Sequence, residues 1–309
     1  MKVLSNNDFP ISRPLAATIG FFDGVHKGHR FLLNDLKHIA EKRGLLTAVI
    51  TFPVHPRVVL HSDYQPELLN TCEEKIALLS QTDIDYVVML DFDRSLAEMT
   101  AQVFIRDILH NKLNVKTLLI GYDHRFGHLR TDGFDEYTKY GAACGMEVIH
   151  AVPYVDNGLT VSSSKVRNLL HSGDVTGANA LLGYPYKLEG SVVEGNQIGR
   201  IIGFPTANIC VADPHKLIPA FGAYAVWVTV EDNRYEGMLY IGTKPTVNEG
   251  IEKNIEVNIF DFSEDIYNKP ITVEFTDYIR TDKRFDSLDE LKNQLEKDRK
   301  KAEEILNKL

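Results

Sequence analysis

The sequence predicts an α/β protein in two parts: an amino-terminal parallel sheet covered by helices, then an antiparallel β-barrel or sandwich with a closing helix. Three observations carry this. Strand-like and helix-like runs alternate up to about residue 182. Beyond it, period-2 alternation and turn residues take over. A helical stripe then begins at Ser287. A chain of 309 residues is long for one core, so two domains, 1–182 and 183–309, are expected, with a boundary near 183–185.

Residues 15–19 read as a buried strand. Over 30–43, Leu32, Leu33, Leu36 and Ile39 recur at helical spacing, with Gly44 as the stop. A β-branched strand follows over 45–52 and a helix over 73–79. Short apolar runs at 86–90, 118–121 and 148–152 supply further strands. Strands alternating with helices make a parallel sheet covered on both faces, with ligands at the strands' carboxyl ends. In the second part, 191–194, 223–231, 235–242, 255–262 and 271–275 read as strands. No helical pattern is expected before Ser287, which opens a capping box with Glu290. Leu288, Leu291, Leu295, Ala302 and Ile305 then form the apolar stripe of the last helix.

The net charge of −9 argues against a nucleic-acid surface. The first eight residues lack an apolar core of signal-peptide length, and no apolar run reaches membrane-spanning length, so no membrane contact is expected. Three scattered cysteines, Cys72, Cys144 and Cys210, fit neither a disulfide framework nor a zinc site and point to the cytoplasm.

The stretch from Thr18 to Arg30 is the most informative in the chain. A strand runs into Gly20-Phe21-Phe22-Asp23-Gly24-Val25-His26-Lys27-Gly28-His29, and a helix begins. Histidines three apart on a first helical turn share a face, where free N–H groups and the helix dipole favour an anion. Gly20, Gly24 and Gly28 allow close backbone approach. The spacing resembles the H-x-G-H signature of the nucleotidyltransferase superfamily, whose members attack the α-phosphate of a nucleoside triphosphate.

Two further segments fit a nucleotide. In Gly121-Tyr122-Asp123-His124-Arg125-Phe126-Gly127, Asp123 and Arg125 suit a phosphate-bearing ligand or its sugar. Phe126 suits a flat ring, although from that residue alone a buried aromatic in a polar loop is the better reading. In Val161-Ser162-Ser163-Ser164-Lys165-Val166-Arg167, hydroxyls and a helix start favour an anion, and Arg167 can fork onto phosphate oxygens. His124 and His128 form H-x-x-x-H, but Gly127 interrupts the helix that a zinc pair needs.

A second site is expected in the β-rich half. Residues 195–208 carry Gly195, Gly199 and Gly203 four apart, a loop able to wrap phosphates, followed by Phe204, Pro205, Thr206 and Asn208. Thr206 and Asn208 point to one side of an extended segment, and their oxygens suit Mg²⁺ beside ATP. Alternation puts Glu256 on the face opposite Ile255, Val257 and Ile259, where a carboxylate can orient a hydroxyl and take its proton.

With both segments in place, nearly the whole chain resembles the bacterial bifunctional riboflavin kinase/FAD synthetases. The resemblance is carried by the 20–29 string, by 162–167, by Gly203-Phe204-Pro205-Thr206-Ala207-Asn208, by 241–246 and by Ile255-Glu256-Val257. It implies a Rossmann-like nucleotidyltransferase domain with a parallel sheet, and an antiparallel β-barrel kinase domain. It implies that Mg²⁺–ATP phosphorylates riboflavin to FMN, with Thr206 and Asn208 as metal ligands and Glu256 as base. A second ATP then adenylylates FMN to FAD with release of pyrophosphate. His26, His29, Ser164 and Arg167 would stabilise the phosphates, with Gly20, Phe21, Asp23, Gly24, Gly28, Asp123, Ser162, Ser163, Gly199, Gly203 and Pro205 around ATP. Arg125 and Phe126 would meet the flavin. The chain departs from the family pattern at Pro53, at His124 (usually Phe) and at Ser164 (usually Thr). Another nucleotidyltransferase, or a flavin-binding regulator without catalysis, stands as the alternative reading. The expected partners are small molecules only, and the oligomeric state is left open.

Overall fold

The computed structural model describes residues 1–60, 63–122, 124–128, 132–156, 159–195, 198–244 and 252–308. The chain divides into two compact units, Met1–Ser163 and Ser164–Leu309.

In chain order the first unit holds β1 (Lys2–Leu4), β2 (Leu15–Ile19), α1 (Lys27–Arg43), β3 (Leu46–Thr51), α2 (Pro56–Leu60), α3 (Cys72–Ser80), β4 (Tyr86–Met89), α4 (Arg94–Ala97) and α5 (Ala101–Val103). A π-helical run (Phe104–Lys112), β5 (Val115–Ile120), α6 (Phe134–Ala143), β6 (Glu147–His150) and the small hairpin β7 (Val155–Asp156) and β8 (Leu159–Thr160) follow. The six main strands are all parallel, in the order β1-β4-β3-β2-β5-β6. All five residues of β2 are buried, because it lies between β3 and β5 with both faces covered. Leu15, Ala17 and Ile19 face one core with Ile50, Val88, Leu118, Phe104 and Ile105.

The expected strands and the helix before Gly44 form at or near their predicted positions. Gly44 ends α1 in the left-handed region at φ 63°, and its N–H bonds the carbonyls of Ala40 and Glu41. Helix α1 starts at Lys27 rather than near Arg30, because His26 caps it with a ring nitrogen. The sequence reading does not anticipate β1, the helical run from Ala101 to Lys112, or α6.

The second unit comprises α7 (Ser163–Ser172, which begins at the boundary), α8 (Val175–Leu182), β9 (Lys187–Val193), α9 (Ile198–Ile201), β10 (Ala207–Cys210), β11 (Gly222–Val230), β12 (Asn233–Lys244), β13 (Glu252–Ile259), β14 (Pro270–Arg280) and α10 (Leu288–Leu306). By contact, α7 and α8 therefore go with the barrel, ahead of the change in sequence texture at 182. Asn179 ties α8 down by donating to the carbonyl of Phe275 and accepting from the Tyr186 N–H. Strands β9–β14 close into an antiparallel barrel in the order β10-β13-β12-β11-β14-β9. Alternate residues such as Val226, Val228, Val257, Val273 and Phe275 are buried within it.

Two details differ from expectation. The four-residue α9 precedes Ser287, so the β-rich half does contain an earlier helical turn. The capping box forms only in part: Ser287 accepts from the Glu290 N–H, but Glu290 accepts from Asp286 instead of Ser287. Leu288 is 55 % exposed, while Asp298, Ala302 and Leu306 are the buried residues of α10. Asp298 is an acid on the inner face because Arg280 of β14 pairs with it at 2.8 Å, and Gln294 donates to its other oxygen.

Removing one partner of such a pair leaves an uncompensated buried charge. Asp298→Ala should therefore destabilise the second unit by about 3 kcal/mol. The only tryptophan, Trp227, lies on β11, so urea unfolding followed by its fluorescence reads this unit. A change below about 0.5 kcal/mol, the usual range for surface substitutions, would contradict the assignment.

Candidate active sites

The first site is built where β2 ends. The Gly20 N–H bonds the Ile50 carbonyl, after which the chain turns sharply through Phe22 (φ 56°), Gly24 (φ 83°) and Val25 (φ 33°). Two non-glycine residues in this region mark stored strain, which persists only where surrounding contacts over-determine it. Those contacts are present. Asp23 is buried, and its Oδ1 accepts from the backbone N–H groups of Leu69 (2.9 Å) and Asn70 (3.3 Å). Ser163 Oγ donates to the Asp23 carbonyl at 2.8 Å.

The turn delivers His26 to the N-cap of α1, where its Nδ1 accepts from the His29 N–H at 3.2 Å. The two imidazoles stack, with centroids 3.7 Å apart and planes 13° from parallel. A Cβ on Gly28 would lie 3.1 Å from His26 Cε1 and 3.4 Å from the Val161 carbonyl, so glycine makes room for the His26 ring. His29 Nδ1 is buried without a hydrogen-bond partner among the described residues. Burial first, then the fields of His26 and Lys75, hold its pKa well below the ordinary value. Burial thus favours a neutral imidazole at a helix N-terminus, where free N–H groups and the dipole favour an anion.

Of the other residues expected around this site, Gly20, Phe21, Gly24 and Gly28 lie on the turn or the first turn of α1. Ser162 and Ser163 lie beside it at the start of α7. Ser164 and Arg167 stand on α7 in the second unit. Asp123 lies outside the described residues. Arg125 is exposed. The Phe126 ring stacks on buried Tyr137 at 4.3 Å and packs against the core, so one of its faces is already used. The carboxylate of Asp23 is engaged with backbone donors, which gives it a part in holding the turn. The sequence does not point to Lys75, whose ammonium is buried against the same turn.

The second site lies on the barrel. Thr206 Oγ1 donates to Glu256 Oε2 at 3.0 Å, and Asn254 Nδ2 donates to the other carboxylate oxygen. Asn208 on β10 lies opposite Glu256 on β13. A Cβ on Gly195 would overlap the Asn208 amide, so Gly195 packs directly on that side chain. Gly199 accepts from the Phe204 N–H, and Gly203 turns the chain at φ 86° before Pro205, whose carbonyl accepts from Asn258. Two cavities meet at Thr206. One, of about 260 Å³, is lined by Phe204, Met238, Tyr240, Glu256, Phe285 and Leu295 among others. The other, of about 330 Å³, is lined by Arg200, Pro205, Ser263 and Tyr267 among others. Burial, then the hydrogen bond it donates to Asp282, raises the Tyr240 phenol far above its usual pKa and keeps it protonated. Tyr240, Asn258 and the Arg280–Asp298 pair have no motif in the sequence. They reach the cavity through strand register and the docking of α10.

A glycine turn and histidine pair at the carboxyl edge of a parallel sheet, with a hydroxyl–carboxylate pair on a separate barrel, define a two-domain transferase of phosphate groups. Comparisons with known proteins agree. The family model described as FAD synthetase matches residues 9–165, and the one described as riboflavin kinase matches 182–306. The bifunctional riboflavin kinase/FMN adenylyltransferase of Escherichia coli (strain K12) is 40 % identical over 289 residues, covering 93 % of this chain and 91 % of that protein. That of Bacillus subtilis (strain 168) is 36 % identical over 292 residues, covering 92 % and 90 %. A crystal structure described as a macrolide-efflux protein from Streptococcus pneumoniae superposes with a TM-score of 0.88 at 33 % identity, covering 96 % of this chain and 97 % of that one. Among the described residues here, no helix is long and apolar enough to cross a membrane.

The chain belongs to the bifunctional riboflavin kinase/FMN adenylyltransferase family. It phosphorylates riboflavin to FMN with ATP and adenylylates FMN with ATP to FAD.

The tight fit at Gly28 yields a direct test. Gly28→Ala should press the His26 ring slightly out of place and lower FMN adenylylation by ~10-fold, in keeping with the cost of small misplacements. Riboflavin phosphorylation by the same protein should be unchanged. Steady-state assays of both reactions check this, and an unaltered adenylylation rate would contradict the reading.

Proposed function

We propose that FMN adenylylation runs at the start of α1 and riboflavin phosphorylation on the barrel beside Thr206 and Glu256. The observation that carries the assignment is the stacked His26–His29 pair with its buried, unpartnered Nδ1. The pair stands at the N-terminus of α1, where free N–H groups and the helix dipole favour an anion. A functional boundary after Leu182 is supported by the riboflavin kinase match, which begins there.

In the first reaction a phosphate oxygen of FMN attacks the α-phosphorus of ATP, the bond to the β-phosphate breaks, and pyrophosphate leaves. No covalent enzyme intermediate is needed. Because His26 Nδ1 accepts the His29 N–H, the neutral His26 ring carries its proton on Nε2 and offers it as a donor. His29, kept neutral by burial, donates or gains charge as phosphate charge builds beside it. Gly20, Phe21, Gly24 and Gly28 bring backbone to the phosphates. Ser162, Ser163, Ser164 and Arg167 supply hydroxyl and guanidinium donors, and Asp123 addresses the nucleotide. Arg125 and Phe126 meet the flavin.

In the second reaction the ribityl 5′-hydroxyl attacks the γ-phosphorus, ADP leaves, and Glu256 orients the hydroxyl and takes its proton. The apolar cavity beside Glu256 takes the flavin ring, and the cavity across Thr206 takes the nucleotide. The hard oxygens of Thr206, Asn208 and Glu256 fit Mg²⁺. Thr206 and Asn208 would hold it, and bound Mg²⁺ supplies charge neutralisation on the phosphates. Gly199, Gly203 and Pro205 shape the loop that presents these oxygens. The thiols of Cys72, Cys144 and Cys210 are free, which supports a reducing cytoplasm.

Glu256→Gln keeps shape and removes the base, so FMN formation should fall by ~10²–10⁴-fold while supplied FMN is still converted to FAD. His29→Ala should do the reverse, with a loss of ~10²–10³-fold in adenylylation alone. Chromatography of the flavins formed from riboflavin or FMN with ATP and Mg²⁺ separates the two. Parallel loss of both activities in either variant would contradict the two-site assignment.

A further inference from the structure

Lys75, on α3, is only 3 % exposed, yet it carries an ammonium group. A buried charge is retained only where it is well paired and hydrogen-bonded. Here Nζ donates to the carbonyl of Phe52 (2.8 Å), the carbonyl of Phe21 (3.2 Å) and Thr51 Oγ1 (3.3 Å), and it sits 4.1 Å from the centroid of the Phe21 ring. Thr51 Oγ1 itself donates to the Phe21 carbonyl, which closes the cluster. The acceptors come from the chain just beyond β2 and β3, at the carboxyl edge of the sheet where ligands bind. Residues just ahead of α3 hold the same turn a second time, through the Leu69 and Asn70 N–H groups on Asp23. One segment thus grips both sides of the strained Phe22.

We propose that Lys75 is a positioning residue for adenylyl transfer: its ammonium, fixed on Phe21, Phe52 and Thr51, holds the 20–25 turn in its phosphate-receiving shape and supplies buried positive charge to the histidine site. The inference rests on placing adenylyl transfer at His26 and His29. The titratable groups whose fields couple to Lys75 are Asp23 from the turn, His29 from α1 and Cys72 from its own helix. Burial lowers the lysine to about 8, so its charge is present at neutral pH and is lost as pH rises through that value. Methionine preserves the volume without charge or donors. Arginine preserves the charge throughout the alkaline range.

The test uses the full chain with kcat/KM for ATP in FMN adenylylation, measured from about pH 6 to pH 9.5, because that ratio reports groups of the free enzyme. The wild type should lose adenylylation above a midpoint of about pH 8, while riboflavin phosphorylation does not follow that limb. Lys75→Met should be ~10²-fold slower at neutral pH and flat across the limb. Lys75→Arg should recover part of the rate and also lack the limb. Four results would each overturn the proposal: a wild-type profile flat through pH 8, a limb that persists in the methionine variant, a methionine variant within about threefold of wild type, or arginine recovering nothing. The first needs no variant, so a misfolded substitution leaves the proposal testable. His29→Ala serves as the control. Should it leave FAD formation intact, the site assignment itself fails; should it abolish FAD formation while Lys75→Met does not, only the role of Lys75 fails.

Discussion

One hydrogen bond organises the amino-terminal site: the His29 backbone N–H to Nδ1 of His26. It caps α1, decides which nitrogen of His26 keeps the proton, and brings the two rings into a stack. Everything nearby serves that bond. Gly28 cannot carry a Cβ without pressing on the His26 ring, and the turn must take positive φ at Phe22 and Val25 to deliver His26 to the cap. Such a turn holds only under restraint from several sides. Leu69, Asn70 and Lys75 supply it from one segment and Ser163 from another.

The barrel reaches phosphate chemistry by a different physical route. Strand register, rather than a strained turn, places Asn208 opposite Glu256, and alternation keeps Glu256 out of the apolar interior that Ile255, Val257 and Ile259 fill. Helix α10 then walls the cavity beside Glu256, held by the buried Arg280–Asp298 pair. One unit therefore sets a buried imidazole at a helix N-terminus. The other sets a hydroxyl–carboxylate pair on a stiff sheet.

Much of this is legible in the chain itself, for identifiable reasons. Residues 15–44 carry their structure locally: a buried strand, a glycine turn, histidines at helical spacing and a glycine stop, and the structure follows all of them. The alternation around Glu256 is likewise local. What escapes is what tertiary packing decides. Strand β1 is a three-residue edge whose pairing with β4 cannot be read from Lys2, Val3 and Leu4. Strand β10 is four residues, and only its flanking by β9 and β13 shows that the extended segment is a barrel strand. Nothing around Lys75 marks it as buried, since a lysine following two glutamates reads as a solvated helix face. Asp298 looks like a surface acid for the same reason, until Arg280 is brought to it.

The buried, neutral His29 imidazole on the first turn of α1 is the pivot of the amino-terminal site. Nitrogen-detected NMR of the histidine side chains, followed through a pH titration with and without ATP, tests this most directly. Without ATP the His29 ring should remain neutral well below the ordinary histidine range, and added ATP should raise its pKa as phosphate charge comes beside it. A His29 ring that titrates without ATP like an exposed histidine, and that ATP leaves unmoved, would contradict the account.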